Sequence, residues 1–245
     1  MSESLMKKVD FVSPPKYATV SNYREYLRKT FNYSCAYCTV TEAEVLAATF
    51  NIDHFRPKSL FPQLERDCTN LRYACPRCNI YKSDHWIPKS MGCHRNCASC
   101  KTRICTTNIP RFIDVRVEEP SDYLYEKDDH ICAYDGSKVA EYTIRSLRLN
   151  RDQLVRLRHN RRFMENWAKD LEDLLSRTKL RMDEIEMRMQ TFSTTYSSEK
   201  GTTLYNISMT LFELLKAEEE SNICLIQSQI SRLDALRNRL SGRDD

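Results

Sequence analysis

Two Cys-x-x-Cys knuckles stand forty residues apart, Cys35-Ala36-Tyr37-Cys38 and Cys75-Pro76-Arg77-Cys78. Four thiolates in two such pairs suit one tetrahedral zinc, and a zinc shared by distant knuckles pins both ends of whatever lies between them. The chain has eleven cysteines in 245 residues. A disulfide framework would need an oxidising compartment, yet the N-terminus carries no apolar signal core. No apolar run approaches the length of a membrane span. The expectation is therefore a cytoplasmic protein with reduced, zinc-binding cysteines.

The segment between the knuckles holds Asn51-Ile52-Asp53-His54-Phe55-Arg56-Pro57-Lys58-Ser59 and then Asn70-Leu71, and Asn79 follows directly on Cys78. Of five histidines, only His54 follows an acidic residue inside the cysteine frame. Val45 to Ile52 reads as a strand ending at Asp53-His54, and Asn79 to Trp86 opens a helix. Ser21 to Phe31 spaces Tyr23, Leu27 and Phe31 as one face of an earlier helix. Strand, loop and helix around one metal suit a small α+β unit.

These residues together resemble the HNH, or ββα-metal, nuclease family. The resemblance implies an α+β fold with a zinc-stapled core, and a hydrolase acting on the phosphodiesters of DNA or RNA. It makes His54 the general base and gives Asp53 and Asn79 to a catalytic magnesium or manganese ion. Asn70 would brace the loop carrying the base without touching the metal. Asn at the position of Asn79, where the family often has His, still offers an oxygen and suits a hard cation. Cys35, Cys38, Cys75 and Cys78 would hold structural zinc. Arg56, Lys58 and Lys82 are candidate phosphate contacts, the bland alternative being a solvated face. Cys68 fits neither knuckle and reads as a small buried apolar residue.

Asn51 to Ser59, Asn70 to Asp84, and a downstream set including Phe112-Ile113-Asp114-Val115-Arg116 and Ser146-Leu147-Arg148-Leu149-Asn150-Arg151 are similar to a bacterial HNH subfamily. That subfamily includes nucleases of Septu-type and retron-linked anti-phage systems, which work with an ATPase. The likeness covers about residues 20–165 and implies an ATPase partner. Two other readings stay open, a stand-alone restriction or repair nuclease and a non-catalytic zinc module that binds nucleic acid or protein.

Residues 1–20 read as a leader and 21–135 as the nuclease domain, with a Cys-rich insertion at 91–107. There Cys93, Cys97, Cys100 and Cys105 could hold a second zinc, with His94 able to replace one, or could be four reduced thiols on a loop. Tyr123 to Tyr125 and Ile131 to Tyr134 read as short strands, with a turn at Asp135-Gly136. From 136 to 245 the pattern is helical: continuous to about Gln190, broken over Ser193 to Thr203, then resumed over Leu204–Ala217 and Asn222–Leu240. Only four glycines in the chain agree with this helical content. Arginines crowd residues 145–162, and Arg158, Arg161 and Arg162 are candidate nucleic-acid contacts. The net charge of +4 is too mild to identify a polyanion partner by itself. The tail beyond 168 carries no catalytic constellation and reads as a helical bundle or a docking element.

Overall fold

The computed structural model describes residues 5–45, 49–87 and 108–241. The chain divides into two compact units, Met1–His159 with Asn238–Asp245, and Asn160–Arg237. The Cys-rich insertion, with Cys93, Cys97, Cys100 and Cys105, lies outside the described residues.

In the first unit a 3-10 turn at Val20–Tyr23 runs into helix α1, Arg24–Thr30. Tyr23, Leu27 and Phe31 all enter the core, as their spacing requires. Strands β1 (Asn51–His54) and β2 (Leu71–Ala74) pair antiparallel, with Asn51 opposite Ala74 and His54 opposite Leu71. Helix α2, Pro76–Lys82, follows β2 and packs on β1. The result is the expected ββα arrangement.

Helix α2 starts earlier than the sequence suggested. Pro76 occupies its first turn, where its missing N–H costs nothing, and the Cys75 side chain caps it by accepting from the Cys78 amide. Asn79 thus sits one turn inside the helix rather than at its opening.

Several buried polar links join this core to the rest of the unit. Arg72 on β2 donates to Asp114 at 2.5 Å and is 1% exposed, between the rings of Phe55 and Phe11. Arg111 grips Glu118 through two bonds at 2.7 and 2.5 Å. Glu42, just after the first knuckle, accepts from Arg28 of α1 at 2.8 Å and from the Tyr73 hydroxyl of β2.

Strands β3 (Leu124–Lys127) and β4 (His130–Ala133) form a second hairpin. Its two-residue turn is Asp128-Asp129, both with positive φ, the conformation that matches the strands' twist. The turn at Gly136 instead leads into helix α3, Lys138–Ser146, whose first turn is capped by Ser137. Val139, Ala140, Leu147, Leu149 and Leu154 belong to the same core as the ββα element. The compact first unit therefore runs past the boundary expected at 135/136, because α3 and the following turn complete its apolar packing.

Helix α4, Asp152–Thr195, begins in this unit and continues into the second. There it forms an antiparallel hairpin with helix α5, Thr203–Ser241. Phe192 stacks on Tyr205, Arg181 pairs with Glu219 at 3.1 Å, and Lys216 pairs with Glu186 at 2.6 Å. The sequence suggested two helices after Thr203. One continuous helix forms, since Glu218-Glu219-Glu220 favours helix and no Gly or Pro interrupts it. No helix among the described residues is long and apolar enough to cross a membrane.

Candidate active site and zinc centre

The zinc centre follows from the two knuckles. The Sγ atoms of Cys35, Cys38, Cys75 and Cys78 lie within 4.8 Å of one another, and all four residues are buried. Tetrahedral Zn–S bonds of about 2.3 Å place sulfurs about 3.8 Å apart. Cys38 and Cys75 stand at 3.7 Å. Among the described residues this is the one cluster of three or more His, Cys, Asp or Glu side chains suited to a metal. Each knuckle turns a backbone amide onto a sulfur, Tyr37 onto Cys35 and Cys78 onto Cys75, both at 3.5 Å.

The thiols cannot all ionise in such a small buried volume without a cation. Burial pushes Cys35 well up. Hydrogen bonds from Cys35, Cys38 and Cys78 push Cys75 far down. A divalent ion removes this conflict by stabilising all four thiolates together. Arg151 contributes fixed positive charge, its Nη2 donating to Cys38 at 3.7 Å and to Cys78 at 3.8 Å. Its guanidinium also lies over the Tyr81 ring. The basic segment at 145–162 was visible in the sequence, but its contact with the knuckles was not.

Strand geometry separates the Asp-His pair. Successive strand residues face opposite sides, so Asp53 points into the core and His54 points away. Asp53 Oδ2 accepts from the Tyr37 hydroxyl at 2.5 Å and pairs with Lys82 Nζ at 3.1 Å. Burial, with Asp53 as a second factor, pushes the Tyr37 phenol well up, so it stays a donor. Tyr37 is the neighbour of this carboxylate that sequence reasoning missed, although it sits in plain view inside the first knuckle.

The His54 ring contacts the Glu65 carbonyl through Nε2 at 2.9 Å. A carbonyl only accepts, so Nε2 must carry hydrogen and the neutral ring keeps its lone pair on Nδ1. Asn70 fastens the same loop. Its Oδ1 accepts from the Arg56 amide at 2.9 Å, and its Nδ2 donates to the Arg56 carbonyl at 3.1 Å and to the Leu64 carbonyl at 3.3 Å. Asn70 is buried and forms its bonds with the backbone beside His54. Asn79 is half-buried on α2. Cys68 is buried, as its sequence context suggested.

The expected phosphate contacts divide by burial. Lys58 is largely exposed and stands 3.7 Å from Glu65. Lys82 is 0% exposed. Its ammonium is held by Asp53 and by the His54 carbonyl at 2.7 Å, so it is an internal cation and cannot touch a phosphate in this conformation. Burial depresses its pKa, and Asp53 opposes that shift. Arg56 is 7% exposed and lies over Phe61 and Trp86. Arg158 is 3% exposed and donates to the Leu149 carbonyl at 2.6 Å and the Asp129 carbonyl at 3.0 Å. These buried groups stabilise loops and do not form a basic surface. Arg161 and Arg162 lie on the α4 segment of the second unit.

A family model described as HNH endonuclease matches residues 35–85. That span begins at the first knuckle cysteine and ends just past α2. Residues 35–85 are thus an HNH-type nuclease domain, with a four-cysteine site of the kind that binds zinc. No curated protein matches the chain.

Proposed function

We propose that the chain is a metal-dependent endonuclease that hydrolyses nucleic-acid phosphodiesters, with His54 as general base. The observation that carries this reading is the 2.9 Å contact of His54 Nε2 with the Glu65 carbonyl. The Glu65 carbonyl holds Nε2–H, which leaves Nδ1 to take a proton from water. Asp53 and Asn79 offer the oxygen ligands for a magnesium or manganese ion. Such an ion supplies charge stabilisation at the scissile phosphate and the leaving oxygen. Tyr37 and Lys82 hold the Asp53 carboxylate, Asn70 holds the loop after His54, and zinc at the four cysteines fixes both knuckles around them. Lys58, exposed on the same loop, supports substrate approach by contacting backbone phosphate.

The finer assignment is the cutting subunit of an anti-phage assembly with an ATPase partner. The segments similar to the Septu-type and retron-linked subfamily support it. Residues of those segments have structural roles in this fold, namely Asp114 against Arg72, Asn150 against β4 and Arg151 against the thiolates.

The test is cleavage of labelled DNA and RNA by the purified chain with magnesium, beside His54→Ala. Magnesium-dependent cutting by the wild type alone, at equal zinc content, is the expected result. Equal cutting by the variant would remove His54 from the mechanism. Co-purification with products of adjacent genes tests the ATPase pairing.

A further inference from the structure

Helix α5 carries a second apolar face that α4 does not cover. Its inner face is set by Tyr205, Phe212, Ile226 and Leu233, spaced by sevens or fourteen, and Phe192 of α4 packs on the first two. The uncovered face carries Leu204, Leu211, Leu215, Leu225 and Leu236, each between 45 and 71% exposed. Ile207 and Leu214 flank it and are as exposed. A two-helix hairpin needs one apolar stripe per helix, whereas a helix in a four-helix bundle needs a wider one.

The stripe lies on a heptad seam: positions 204, 208, 211, 215, 218, 222, 225, 229, 232 and 236 alternate in steps of four and three, and five of these ten are the leucines just named, interleaved with Ser208, Glu218, Asn222, Gln229 and Arg232. Its positions also repeat in both directions about residue 220. Leu204 and Leu236 lie sixteen positions either side, and Leu215 and Leu225 lie five either side, while Leu211 falls opposite Gln229. The two charged positions in the seam decide the orientation. A parallel, in-register pair would set Glu218 against Glu218 and Arg232 against Arg232. The antiparallel pair sets Glu218 against Asn222 and Arg232 against Ser208, so no like charges meet.

We infer that this face of α5 is the interface with a second copy of the chain, the two α5 helices crossing antiparallel about a two-fold axis near residue 220. The two hairpins then form a four-helix bundle. The seam from Leu204 to Leu236 is about 48 Å long at 1.5 Å per residue, and one helix diameter is about 10–12 Å. The two copies together bury on the order of 1,000 Å² along it, the area at which an interface becomes specific. A self-complementary stripe is what a two-fold pairing requires, since each residue must face its own symmetry mate's counterpart.

Sedimentation equilibrium of the full chain, zinc-loaded and across micromolar concentrations, should give twice the 28.9 kDa chain mass. Leu211→Glu with Leu215→Glu should give the chain mass at unchanged helical circular dichroism. A wild-type monomer throughout that range, or a dimer that survives the double substitution with helicity intact, would overturn the proposal. Orientation is read in a background with Cys132→Ser and Cys224→Ser, the two accessible thiols among the described cysteines. Mild oxidation should cross-link Leu204→Cys chains to Leu236→Cys chains in a mixture. Self-cross-linking of the Leu204→Cys chains instead would overturn the antiparallel pairing.

Discussion

The hydroxyl of Tyr37, a residue of the first knuckle, donates to Oδ2 of Asp53 on β1 at 2.5 Å. One residue between two zinc-site cysteines thereby orients the carboxylate proposed for the catalytic cation. The zinc centre and the strand of the Asp-His pair are thus joined through a side-chain hydrogen bond.

Tyr37→Phe removes that bond and keeps the ring. Partners of metal-binding groups are typically worth about 10–100-fold in affinity or activity. The expected outcome is cleavage lowered by about tenfold or more, and weaker manganese binding by calorimetry, at unchanged zinc content. Wild-type manganese affinity in the variant would show that Asp53 keeps its orientation without Tyr37.

His54→Ala should lower cleavage by about two to four orders of magnitude, the usual loss for a general base. Thermal melting should move little, because the ring makes one bond to a loop carbonyl. A large drop in melting temperature would make His54 a structural residue first.

Lys82→Met leaves the Asp53 carboxylate buried without its cation. Breaking a buried pair this way costs about 3–5 kcal/mol, so denaturant unfolding should shift strongly. The salt dependence of nucleic-acid binding by the folded fraction should be unchanged. Lys58→Ala should do the reverse, sparing stability and reducing the salt slope by about one. Exchanged behaviour between the two lysines would contradict their assigned places.

Zinc removal should unfold the first unit. A structural zinc supplies about 10–16 kcal/mol to small domains. Cys75→Ser, or a strong chelator, should abolish the cooperative melt of the ββα core, followed by circular dichroism. A zinc-free protein with full cleavage activity would refute the knuckle assignment.

Acid should weaken the grip on the first knuckle through Glu42. Burial raises its pKa, but the bonds from Arg28 and Tyr73 outweigh burial and hold it below the ordinary value. A lowered folded pKa gives stability that is present above the unfolded value, about 4.3, and is lost as pH falls through the folded one. Glu42→Gln should therefore be less stable than wild type near neutrality, and the gap should close below about pH 4. A gap that is constant with pH would exclude ionisation as its source.

The ββα core was readable in the sequence because its chemistry needs fixed residue types at fixed spacing. The cysteine pairs and Asn70 sit where local pattern places them, whereas the strand expected from Val45 begins only at Asn51 and takes in Asp53 and His54 themselves. Burial of the cations was not readable. Lys82 and Arg158 look like surface charge in one dimension, and their partners, Asp53 and the Leu149 carbonyl, are chosen only by tertiary packing. The same limit applies to the first unit's boundary. The helical pattern begins near 138, yet Leu147, Leu149 and Leu154 complete the nuclease core. Periodicity reports the type of element and not the core it joins.

The burial of the four knuckle sulfurs sets an order of chemical damage. Buried structural thiols are inert because electrophiles do not reach them, and all four knuckle cysteines are buried. Cys224 is exposed and Cys132 half-exposed, and neither belongs to the four-sulfur cluster. Among the described cysteines, peroxide or an alkylating agent reaches those two thiols first, on a helix and a hairpin far from the Asp-His strand in sequence. Early oxidative hits thus fall away from the knuckle sulfurs, and the strand those sulfurs hold in shape stays intact.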